Sequence, residues 1–95
     1  MDGLFSAERA TVAQVQGMWA QRTDEIRARF VMGESWRAAT EAVVAGLSRW
    51  ETGTLLALLR RRRGLCRHDR MMAEALARRL GLRVTWRQRS LLVDG

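Results

Sequence analysis

The chain contains no proline, and three of its eight glycines fall where helical patterns stop. Gly33, Gly64 and Gly81 each follow a stretch whose apolar residues recur at helical spacing, where a left-handed residue terminates a helix. This punctuation, with a further helix start at Ser48, divides 95 residues into four helical segments and a tail. A chain of that length builds one domain, taken here as residues 1–95. The expected fold is mainly α: a compact four-helix domain with a small C-terminal β-hairpin.

The first helix is expected from Ser6 as N-cap, with Glu8 in its first turn, to Val31. Val12, Val15, Trp19, Ile26 and Phe30 form its apolar stripe. So long a helix either kinks near Gly17 or lays its stripe against a second chain. Val12, Val15, Trp19 and Ile26 are the expected contacts of a homodimer, with residues 1–33 as its arm.

The second helix runs from Ser35 to about Leu47 with Trp36, Ala39, Val43 and Leu47 inward. The third opens on Ser48-Arg49-Trp50-Glu51, the spacing of a capping box, and buries Leu55, Leu58 and Leu59. It ends in Arg60-Arg61-Arg62-Arg63-Gly64, more positive charge than a helix dipole requires. The fourth spans Cys66–Leu80, with Met72, Ala75, Leu76 and Leu80 inward and Asp69 the better of two caps. In the tail, Val84 and Trp86 alternate with Arg83, Thr85 and Arg87, a strand period. A hairpin turning near Gln88 is the preferred reading, and a short helix over Thr85–Val93 is the alternative.

Charge is distributed unevenly. All 17 basic residues are arginine. Residues 1–47 carry a net charge of −1 and residues 48–95 a net charge of +8. A neutral half joined to a strongly basic half implies an anionic partner for the second. The guanidinium groups expected to meet a nucleic acid are Arg67, Arg70, Arg78 and Arg79, with Arg83, Arg87 and Arg89 along an adjacent backbone. Trp86, flanked by arginines, either stacks on bases or anchors the hairpin against Leu76 and Leu80. Trp19, Trp36 and Trp50 read as core or dimer contacts.

Several chemistries find no support. The single cysteine, Cys66, forms no internal disulfide and makes no zinc site with the lone His68. No phosphate-binding glycine loop is present. Cys66 and His68 diverge on a helix, and adjacent Asp24 and Glu25 do the same. An enzyme is therefore not expected, nor any metal or cofactor. No apolar run is long enough to span a membrane, and the start lacks the pattern of a secretion leader, so a cytoplasmic protein is expected.

The stretch from Leu47-Ser48 through Glu51, Leu55-Leu56-Ala57-Leu58-Leu59 and Gly64 to Cys66-Arg67 resembles the opening of OmpR/PhoB-type winged-helix DNA-binding domains. Leu76-Ala77 and Leu80-Gly81-Leu82 look like a generic helix-turn-helix. The resemblance covers about residues 47–82 and implies that residues 34–95 are winged-helix-like. Cys66 stands where the family has a capping serine, and only 14 residues follow Gly81. Either Cys66–Leu80 is the groove helix with residues 83–93 as the wing, or part of the DNA-reading apparatus is missing. The leading expectation is a small DNA-binding transcriptional regulator of bacterial or phage origin. The alternative is a helical module or inhibitor, phage-encoded for example, that binds a protein partner.

Overall fold

The computed structural model describes residues 10–87 and 90–94. Four helices come first: α1 (Val12–Val31), α2 (Trp36–Ala45), α3 (Arg49–Arg60) and α4 (Arg67–Arg79). Two strands follow, β1 (Arg83–Arg87) and β2 (Ser90–Asp94), paired antiparallel from Arg83↔Asp94 to Arg87↔Ser90. The expected turn near Gln88 lies outside the described residues.

Local chemistry sets most boundaries. The Ser35 hydroxyl accepts from the Ala38 amide at 3.0 Å, and Ser48 accepts from Glu51 at 3.0 Å. Each satisfies an amide that the helix itself leaves unpaired. Gly33 and Gly81 adopt φ of 110° and 73°. In both places the next amide reaches back to close the helix end, Glu34 to the Arg29 carbonyl at 3.1 Å and Leu82 to that of Ala77 at 2.9 Å.

Three expectations are corrected. The first helix begins at Val12, because Thr11 is extended and forms a reciprocal box with Gln14, at 3.1 Å and 2.8 Å. Ser6 and Glu8 lie outside the described residues. The helix runs unbroken through Gly17. Cys66, not Asp69, is the N-cap of α4, and its side chain makes no capping hydrogen bond.

The core gathers around α4. Met72, Ala73, Ala75, Leu76 and Ala77 are all buried. They meet Ala39, Val43 and Val44 of α2, Leu55, Leu56 and Leu59 of α3, and Leu47 and Leu65 from the connections. The three alanines let neighbouring elements approach closely, and α2, α3 and β1 all pack on this helix. β2 packs on α3. Val84 and Trp86 turn toward the core from β1. The buried hydroxyls of Thr40 and Thr52 donate to carbonyls one turn back, at 2.8 Å and 2.7 Å. Among the described residues no buried side-chain polar atom lacks a partner.

The α1 stripe is only partly consumed. Ile26 is buried in this chain's own core, so it is withdrawn as a contact with a second copy. Trp19 is half-buried, with the Arg62 guanidinium 4.9 Å from its ring centroid. Val15 is half-buried and Val12 is exposed. α1 is fastened to α3 by Arg22, which donates to both carboxylate oxygens of Glu51 and, at 2.7 Å, to Glu25. Hydrogen bonding to Glu51, then to Glu25, raises the Arg22 pKa, so its guanidinium stays charged across the accessible pH range. Glu51 thus turns to Arg22, and only the Ser48 half of the expected capping box forms.

Two measurements check this packing. Leu59→Ala empties a fully buried position and should lower unfolding free energy by about 2–5 kcal/mol in denaturant titrations. A double-mutant cycle on Arg22 and Glu51 should give a coupling of about 1–2 kcal/mol, against about 0–1 kcal/mol for the exposed Arg27–Asp24 pair.

Candidate nucleic-acid interface

The outward strip of α4 carries Arg67, Arg70, Met71, Glu74 and Arg78, because the rest of its circumference is buried or faces neighbours. The structure divides the expected nucleic-acid contacts into free and engaged groups. Arg67 is exposed at the first position of α4 and makes no ion pair among the described residues. Arg83 is likewise exposed at the start of β1. Arg70 is half-buried with its guanidinium 5.0 Å from the centre of the Trp86 ring. Arg78 pairs with Glu41 of α2 at 3.4 Å, an exposed contact contributing about 0–1 kcal/mol. Arg79 donates to the Leu47 carbonyl at 2.8 Å, on the side of the helix away from Arg70. The Arg87 side chain and all of Arg89 lie outside the described residues.

Trp86 is an anchor, and the expectation that it stacks on bases is withdrawn. Its indole N–H donates to Glu74 at 2.8 Å, and one ring face meets Arg70. Together these contacts fasten β1 to α4. A second aromatic contact orients the start of α4: the His68 ring stacks on Trp36 at 4.1 Å and 15°. Phe30 meets the same Trp36 edge-on at 5.5 Å. Trp36 and Trp50 therefore differ, the first packed against the core and the second 37% exposed.

Accounting for the acids exposes the residues that sequence reasoning passed over. Each carboxylate whose side chain is described has a partner. Asp24 pairs with Arg27, Glu25 and Glu51 with Arg22, Glu34 with Arg29, Glu41 with Arg78, Asp69 with Arg62, and Glu74 with Trp86. The arginines left without an ion pair, side-chain hydrogen bond or aromatic-ring contact among the described residues are Arg37, Arg49, Arg60, Arg61, Arg63, Arg67 and Arg83. Four of these fall between positions 60 and 67, all exposed. They occupy the end of α3, the link through Gly64 and the first residue of α4. The run Arg60–Arg63 was conspicuous in the sequence, but helix-dipole chemistry offered it a structural use.

The same corner holds the positive end of the α4 dipole. Because Cys66 supplies no capping oxygen, no side chain of the N-cap occupies the first-turn amides. Unpaired guanidinium groups beside free helix amides suit phosphate oxygens. Among the described residues, no group of three His, Cys, Asp or Glu side chains is placed to hold a metal ion, and no helix is long and apolar enough to cross a membrane.

No protein-family model matches the chain, and neither curated proteins nor solved structures include a significant match.

The Trp86–Glu74 contact is open to test. Glu74→Ala leaves the indole N–H without its carboxylate and should lower unfolding free energy by about 1–3 kcal/mol. Arg83→Ala, an exposed group without a partner among the described residues, should change it by less than about 0.5 kcal/mol.

Proposed function

We propose that the protein binds double-stranded DNA through the corner between α3 and α4, as a small regulator of transcription. The observation that carries this reading is the concentration of unpartnered arginines at Arg60, Arg61, Arg63 and Arg67, beside the uncapped start of α4. Chain order supports it too: three packed helices followed by paired strands suit a helix-turn-helix in which α4 approaches the major groove N-terminus first. Arg61, Arg63 and Arg67 then clamp phosphates, while Arg67 and Met71 lie nearest the base edges. Arg83 reaches the flanking backbone. Arg70 and Arg79 are positioning residues, holding β1 and the α2–α3 corner against α4.

Salt dependence tests the reading. Four phosphate contacts imply a log–log slope of affinity against salt of about −3 to −4. Replacing Arg63 and Arg67 by alanine should make that slope shallower by about 2 and weaken binding to every duplex. Arg79→Ala should leave the slope unchanged. Fluorescence anisotropy with a labelled duplex measures all three. Absence of binding at about 50 mM salt, or an unchanged slope in the double variant, contradicts the proposal.

A further inference from the structure

A second surface runs along α3 and meets the first at Arg61. The first turns of α1 and one whole face of α3 enclose an open groove of about 810 Å³. Val12 and Val15 line it from α1, and Trp50, Gly53, Ala57 and Leu58 line it from α3. Val12 is 73% exposed here. Arg49 and Arg61 stand at its two ends, twelve residues apart on one helix, which is about 18 Å. Neither has an ion-pair partner among the described residues.

Gly53 lies mid-groove. It sits inside α3, where glycine opposes helix formation, and a Cβ built on it meets nothing within 4 Å. Internal packing therefore does not require the missing side chain. The position is open toward the groove.

We infer that this groove receives a helical segment of a partner protein, apolar along one ridge and carrying carboxylates at both ends. The length and shape fit helix-in-groove recognition, in which one ridge enters between two walls. Charge selects the partner: two unpaired guanidiniums about three helical turns apart call for two acids at matching separation. A second copy of this chain is a poor supplier, since every carboxylate with a described side chain is already bonded. The groove shares Arg61 with the proposed duplex contacts, but Arg49, Gly53 and Val12 lie outside them, so the inference does not rest on DNA binding.

The test uses the full chain and a synthetic alanine-based helical peptide. The peptide carries leucines at i, i+4 and i+7 between glutamates about twelve positions apart, and a control has lysines in place of the glutamates. Calorimetry should show binding of the acidic peptide and none of the control. Gly53→Leu projects into the groove from a position where a Cβ meets nothing within 4 Å and replaces a poor helix former, so it should hold or raise the melting temperature while weakening the peptide about tenfold or more. Arg49→Glu should weaken the peptide similarly and leave duplex affinity within about twofold. The inference is overturned if the acidic peptide does not bind, or if Gly53→Leu binds it equally well. It is overturned too if sedimentation shows a dimer that Gly53→Leu disperses, which would make the occupant a second copy. Tighter peptide binding by Leu4→Asp would likewise overturn it, by assigning the groove to the chain's own first residues.

Discussion

Burial of α4 on three sides is the constraint from which the rest follows. Ala73, Leu76 and Ala77 have no accessible surface, and Met72 and Ala75 little. Alanine at three of these five positions brings α2, α3 and β1 close enough for their larger side chains to close the core. A helix surrounded this way has only its N-terminal end and one narrow strip left for outside contacts. Its middle and C-terminal arginines then find partners inside the molecule. Arg79 reaches the α2–α3 connection, Arg78 reaches α2, and Arg70 reaches the indole of β1.

Electrostatics follows from the same arrangement. The chain has more arginine than acid, and folding engages each acid whose side chain is described. The surplus gathers above all where α3 hands over to α4, a corner in which the nearby carboxylate of Asp69 is taken by Arg62. Net charge alone promises only affinity for polyanions in general. Under the proposed function, localisation of the surplus beside a helix N-terminus gives that affinity a direction.

Local features of the fold were legible in the sequence. Ser35 and Ser48 cap helices, and Gly33, Gly64 and Gly81 take positive φ at helix ends. Those contacts span three or four residues, the range over which sequence spacing maps onto geometry. The Thr11–Gln14 box was equally local, but the attraction of Ser6 and Glu8 as a start obscured it. The fate of individual arginines was not legible. Arg78 and Glu41 are 37 positions apart, Arg79 and Leu47 are 32 apart, and Trp86 and Glu74 are 12 apart. Which guanidinium is tied and which is free depends on how helices stack, and helical periodicity carries no record of that. The Val12–Ile26 stripe faces outward only at its start, for the same reason: Val12 is exposed, whereas α1 folds back so that Ile26 meets its own chain, and Arg62 from the α3–α4 link covers Trp19.

The most direct test is NMR observation of the arginine Nε–H signals while a short duplex is added at low salt. If the α3–α4 corner carries binding, the signals of Arg60, Arg61, Arg63 and Arg67 shift first and furthest, while those of Arg22 and Arg79 stay in place. Shifts confined to arginines elsewhere, or no shifts at all, would contradict a DNA-binding role for this corner.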